Sequence, residues 1–231
     1  MTVSSSDEIG NLNEGPLHAA LKDWYALPRG EIEVPYQGYL IDVIADGLLF
    51  EIQTGNFASI EKKLSDLVET RRVRLVYPVA KEKWLLKEKA DGGRERRKSP
   101  KEGKPEDVFR ELVSFPGLMR DPNFSLEVIL IQEEELRRYD SDKRRGKGGW
   151  VKEESHLLKV VENRLFRTPE DLAQLLPEEL PRSFTTADIA EEGGCRRDLA
   201  QKMAYCLREM EAIEKVGKQG NAFLYRRSVP S

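Results

Sequence analysis

The dipeptide Asp46-Gly47, set between two short apolar runs, constrains this chain more than any other feature. Asp-Gly flanked by alternating apolar residues signals a two-residue hairpin, because both residues tolerate the positive φ that such a turn demands. Ile41-Asp42-Val43-Ile44 enters the turn and Leu48-Leu49-Phe50-Glu51-Ile52-Gln53 leaves it. A two-residue loop pairs Ala45 with Leu48, Ile44 with Leu49 and Val43 with Phe50, and so sets Asp42 opposite Glu51. Like charges facing each other across a strand pair are destabilising, and a divalent cation held between the carboxylates would relieve that repulsion. Alternation puts Gln53 on the face of Glu51, while Phe50 and Ile52 point the other way. A solvated polar face is the plainer alternative. Apolar neighbours on both sides and an immediately following helix favour a covered sheet instead.

The surrounding pattern predicts a helix from Glu14 to about Ala26, an amphipathic helix from Ala58 to Thr70 and a buried strand Val73-Arg74-Leu75-Val76-Tyr77. With the acidic pair Asp42 and Glu51-Ile52-Gln53 between these elements, the first half of the chain resembles the PD-(D/E)XK nuclease superfamily. The resemblance implies an α/β, restriction-endonuclease-like mixed sheet flanked by helices. It also implies Mg²⁺ or Mn²⁺ held by Asp42 and Glu51, and DNA hydrolysis leaving 5′-phosphate and 3′-hydroxyl ends. The chain departs from the family at Gln53, where lysine is usual, although some restriction endonucleases of the superfamily carry Gln there. Other members take the lysine from the following helix, a part open to Lys62 or Lys63. Glu14 corresponds loosely to an extra acidic residue that some branches place near the metal. His18, four residues on, reads either as a structural histidine or as a neighbour of the metal.

These residue types suit phosphodiester hydrolysis. A hard cation on oxygen ligands neutralises the scissile phosphate and lowers the pKa of a bound water. Glutamine can orient that water by hydrogen bonding but does not accept its proton at neutral pH, so Gln53 reads as an orienter.

A net charge of -3 gives the whole molecule no attraction for polyanions, so nucleic-acid binding has to come from local patches. Lys81 to Lys104 forms one such stretch, and Arg137-Arg138 with Lys143-Arg144-Arg145-Gly146-Lys147 forms another; each reads as a solvated loop or a phosphate contact. No apolar run is long enough for a transmembrane helix, and the polar start lacks the features of a signal peptide. Cys195 and Cys206, about 16 Å apart if one helix carries both, cannot bridge, which fits a reducing cytoplasm. With two cysteines and only His18 and His156, an ordinary zinc site is excluded.

Further along, Pro105 to Met119 reads as a helix and Ser125 to Ile131 as a strand that closes the sheet. Asp140 to Gly149 is charged and glycine-rich, so the expected organisation is a nuclease-like domain over 1–139, a hinge over 140–152 and a second domain over 153–231. In that last part Thr168-Pro169-Glu170-Asp171 and Thr185 with Asp188 are helix starts. A helix from about Arg196 to Met210 buries Leu199, Met203, Leu207 and Met210. A hairpin then turns at Gly217-Lys218-Gln219-Gly220-Asn221.

From Thr168 to Arg227 this order resembles the winged helix-turn-helix, an α+β module. The resemblance implies DNA contact through Arg196, Arg197, Gln201, Lys202, Tyr205 and Arg208 on the recognition helix, with Lys215, Lys218, Arg226 and Arg227 on the wing. Winged helices also serve as protein-interaction modules. The combined expectation is a cytoplasmic, metal-dependent endonuclease acting on duplex or branched DNA, with a homodimer as one open arrangement. The alternative is a DNA-binding protein or transcriptional regulator on a catalytically silent nuclease-like core.

Overall fold

The computed structural model describes residues 15–89, 92–140, 142 and 149–228. Its architecture is α/β: a mixed seven-stranded sheet flanked by helices, with a separate two-stranded sheet near the C-terminus. Six strands follow the order β1-β2-β3-β4-β6-β7, and β5 pairs with β4. These strands are β1 (Glu31–Tyr36), β2 (Tyr39–Ala45), β3 (Leu48–Ile52), β4 (Val73–Glu88), β5 (Arg94–Lys98), β6 (Phe124–Tyr139) and β7 (Trp150–Phe166). The chain divides into two compact units, each built from three segments. The first comprises 1–52, 80–103 and 130–162, and the second 53–79, 104–129 and 163–231. The boundaries fall inside β4, β6 and β7, which run on from one unit into the other.

In the first unit, helix α1 (Pro16–Ala26) starts with proline at its first position, where the missing N–H costs nothing. It packs on β1, β2 and β3. Leu17 and Leu21, one turn apart, face the sheet, and Tyr25 lies against Phe50 with ring centroids 5.1 Å apart. Lys22 is buried on the same side and reaches Glu33 at 2.6 Å. The basic stretch Lys81 to Lys104 is largely strand. Lys83 is bound by Glu133 and Glu135, Arg94 by Glu88, Arg96 by Glu134 and Lys98 by Glu82. Arg96 and Lys98 also lie over the Trp84 ring. Four of the ten cations in this stretch are therefore held by carboxylates of neighbouring strands.

The second unit has an aromatic core. Phe57 stacks on Phe115 at 5.6 Å and meets Tyr77 edge-on, and Phe115 meets Phe124. The helix expected over Ala58 to Thr70 is a 3-10 turn (Phe57–Ile60) running into α2 (Glu61–Val68). The helix expected over Pro105 to Met119 is broken into 3-10 turns (Pro105–Val108 and Pro116–Arg120) around a single helical turn, α3 (Phe109–Leu112). Pro116 accounts for the second break, because proline disfavours helical geometry in the residue before it.

After β7 come α4 (Pro169–Ala173), α5 (Thr186–Glu192) and α6 (Arg197–Glu209), then the hairpin of β8 (Ile213–Gln219) and β9 (Ala222–Arg227). Both expected caps form. Thr168 with Asp171 and Thr185 with Asp188 each make a reciprocal capping box. Phe184 joins the edge of β9 through paired backbone hydrogen bonds with Tyr225. The Arg227 guanidinium donates to the carbonyls of Ala173, Leu176 and Pro177, tying the hairpin to the end of α4.

Candidate functional site

The β2–β3 hairpin is the local outcome its sequence dictates. Asp46 and Gly47 have φ of 51° and 74°, both left-handed as a tight hairpin turn requires, and the pairs are Ala45 with Leu48, Ile44 with Leu49 and Val43 with Phe50. One further step in this register lines Asp42 up with Glu51. There a side chain takes over from the backbone ladder, and the Ile52 N–H donates to Asp42 Oδ2 at 2.8 Å. The Asp42 side chain is 19 % exposed, whereas Glu51 is buried.

Helix α1 adds His18. Its Nε2 lies 2.9 Å from the Ile52 carbonyl oxygen and 3.3 Å from Asp42 Oδ2, so a single nitrogen marks the point where a carboxylate and a backbone carbonyl converge. The 2.9 Å separation is that of a hydrogen bond and the 3.3 Å one that of a close ion pair. With a proton on Nε2 the imidazole donates toward these oxygens, both of which are acceptors. Among the described residues no group of three or more His, Cys, Asp and Glu side chains is placed to hold a metal ion. A site at this point would therefore draw on the Ile52 carbonyl and on water, which suits a cation that usually keeps several waters. Sequence reasoning singled out His18 but missed Ile52, because a backbone carbonyl leaves no signature in residue type.

Gln53 follows the end of β3 and belongs to the second unit. Its side-chain amide donates to Gly55 O at 2.6 Å, with Asn56 O and Ser59 Oγ at 3.4 Å, so its NH₂ group secures the loop leading into α2. Lys63 is half-buried on α2, and Lys62 pairs with Asp66 one turn on. Glu14 and the basic run 143–147 lie outside the described residues, as does most of the expected hinge.

In the second unit, α6 buries Leu199, Met203 and Leu207, with Met210 just past its end. Arg197, Gln201 and Tyr205 are exposed at four-residue spacing, and the Arg208 guanidinium lies 5.5 Å from the Tyr205 ring. Arg196 is exposed and pairs with Asp198. Lys202 is turned inward, donating to the Arg110 carbonyl at 3.2 Å. Arg110 bridges Asp107 and Asp198 at 3.1 and 2.8 Å, and it holds the Asp198 carboxyl below the usual carboxylate range. Close by, burial and then the carboxylates of Glu111 and Asp107 push the Tyr77 hydroxyl up to about 12, against an opposing pull from Arg110. On the hairpin Lys215 and Lys218 are exposed, whereas Arg226 pairs with Glu214. The Arg110 contacts with Asp198 and Lys202 could not be read from the sequence, since they join residues 88 and 92 positions apart.

The class so defined is an α/β protein with a histidine and an acidic pair gathered at a strand hairpin, and a C-terminal run of three helices and a β-hairpin. The chain belongs to the family described as Domain of unknown function (DUF8091), which matches residues 15–167. It is also 33% identical, over 239 residues, to an uncharacterized protein of Treponema pallidum (strain Nichols), with 100% of this chain and 89% of the relative covered. No solved structure matches it.

Proposed function

We propose that this protein is a metal-dependent DNA endonuclease of the PD-(D/E)XK kind, delivered to duplex or branched DNA by its C-terminal helices and hairpin. The observation that carries the reading is His18 Nε2 lying within 3.3 Å of both Asp42 Oδ2 and the carbonyl oxygen of Ile52, next in the chain to the buried Glu51. Mg²⁺ or Mn²⁺ bound by Asp42 and Glu51, with His18 or the Ile52 carbonyl, would supply charge neutralisation and an acidified water. The Ile52 N–H fixes the rotamer of Asp42, so its second oxygen keeps a set direction. The order of α4, α5, α6 and the β8–β9 hairpin is that of a winged helix, and the exposed stripe Arg197, Gln201 and Tyr205 supports a role for α6 in DNA contact. A cytoplasmic setting fits the two free cysteines, and a homodimer would give a duplex cutter its second site.

The test incubates the full chain and an Asp42→Ala/Glu51→Ala variant with plasmid, single-stranded and branched DNA, in Mg²⁺, Mn²⁺ or chelator. Cleavage is expected only with metal and should drop roughly a hundredfold or more in the variant, because several kcal/mol of charge stabilisation is removed.

One observation favours a second reading. The Gln53 NH₂ is committed to its loop, and an amide does not take a proton at neutral pH, so Gln53 supplies no base. On this reading, a DNA-binding or regulatory protein on a silent core, the full chain and the variant both bind DNA in a salt-sensitive manner and neither cuts it.

A further inference from the structure

The β8–β9 hairpin is more than a source of positive charge. Beyond the buried Ile213, β8 is exposed at every position, and Val216 and Phe223 are two of the large apolar side chains that remain about 40 % exposed. Between Lys215 and Tyr225 the sequence carries two lysines, a glutamine and an asparagine but no acidic residue, in a chain with 41 Asp and Glu. Lys218 pairs directly across the ribbon with Phe223, and the ammonium groups of Lys215 and Lys218 lie 3.4 and 5.4 Å from the centre of its ring. Tyr225, two residues further along the same face, is buried against Phe184. One face of β9 thus carries an inner aromatic that anchors the hairpin and an outer one held out in water.

A lone exposed apolar side chain is ordinary on a protein surface, but a ring with two ammonium groups held over it on a strand pair free of acidic residues from Lys215 to Tyr225 has the parts of a ligand site. An aromatic face with flexible cations beside it suits an unpaired nucleobase with its phosphate: the base stacks on the ring and the ammonium groups swing to the phosphate. Paired bases are already stacked inside the duplex and cannot use such a platform. We propose that the distal β8–β9 hairpin is a binding site for unpaired nucleotides, with Phe223 as stacking platform and Lys215 and Lys218 as phosphate contacts. The proposal rests on the DNA-binding reading above and adds to it a preference for DNA with single-stranded arms.

The experiment measures fluorescence anisotropy of the full chain, in chelator to prevent cutting, with three labelled probes: a blunt duplex, a single strand and a fork with unpaired arms. Wild type is expected to bind the fork and single strand more tightly than the duplex. Phe223→Ala should weaken fork and single-strand binding about tenfold or more while leaving the duplex within about twofold, and Phe223→Tyr should retain the preference. Replacing Lys215 and Lys218 by Ala should lower the salt dependence of single-strand binding by about 0.7 per lost contact. Equal wild-type affinity for all three probes, or a Phe223→Ala effect that is absent or equal on all of them, overturns the proposal and leaves the DNA-binding reading standing. No salt-sensitive binding of wild type to any probe overturns both. Thermal melts of the variants verify folding, since the ring lies on an exposed ribbon.

Discussion

Lys83 shows how single charged residues are accommodated inside this sheet. It reaches Glu133 at 2.7 Å and Glu135 at 3.0 Å, both of them buried, and Arg137 also binds Glu135. Burial opposes ionisation of Glu135, but Lys83 and Arg137 outweigh it, so its carboxyl ionises below the usual range. Burial likewise works against the Lys83 ammonium, and the two carboxylates more than compensate, so its pKa is raised. The depressed Glu135 stabilises the fold fully above about pH 4.3, and that contribution fades as pH falls through its folded value. The raised Lys83 contributes fully below about pH 10.4, and its share fades as pH rises through the higher folded value. Both are intact at neutrality. Lys83→Met should therefore cost about 3 kcal/mol at pH 7, the low end for breaking a buried pair because Lys83 keeps 28 % exposure. Urea midpoints should show this penalty shrinking toward pH 4, as the abandoned carboxylates take up protons.

Among the elements, α5 depends most plainly on a single side chain. It has seven residues, too few to persist without help, and Thr185 Oγ1 accepts from the N–H groups of Ala187 and Asp188 while Asp188 returns a bond to the Thr185 N–H. Thr185 is buried, so losing its hydroxyl strands these donors away from water. Thr185→Ala is expected to cost about 1–2 kcal/mol and Thr185→Ser only a few tenths, read from denaturant midpoints. The hairpin at Asp46-Gly47 is specified as locally: both turn residues take left-handed backbone that Asp and Gly accept, and their register alone sets which side chains face Glu51.

At the scale of the whole molecule, the last 69 residues of the second unit, 163–231, share that unit with 53–79 and 104–129. Helix α6 packs on α3 and on the 3-10 turns Pro105–Val108 and Pro116–Arg120 as well as on α4 and α5. Its buried Leu199, Met203 and Leu207 are each worth about 1.5–3 kcal/mol of burial, against a net stability of order 5–15 kcal/mol for a domain. A fragment comprising 163–231 alone should fail to unfold cooperatively. Near-UV circular dichroism and amide exchange measure this, with the full chain as reference.

The sequence by itself determined whatever lies within a few residues of its signal: the hairpin turn and register, the caps at Thr168 and Thr185, the buried stripe of α6. Each follows from local stereochemistry or from a period of two or 3.6, which any window of the chain carries with it. The observed pairs Ala45 with Leu48, Ile44 with Leu49 and Val43 with Phe50 were legible for the same reason, and Asp42 and Glu51 are the next step of that register. What only the tertiary structure decided is the identity of partners far along the chain. Strands β4 and β6 run on past Tyr77 and Ile131 through charged residues because the charges of Lys83, Glu133 and Arg96 are met by neighbouring strands about 40 to 50 residues away, and β7 forms where no strand was read, with Asn163 donating to the buried Glu127 of β6. His18 meets Asp42 and the Ile52 carbonyl because α1 folds back on the hairpin, and Lys202 turns inward because Arg110 arrives beneath it. Such contacts depend on sheet order and helix packing, and the free energy that selects those belongs to the whole fold rather than to any segment of it.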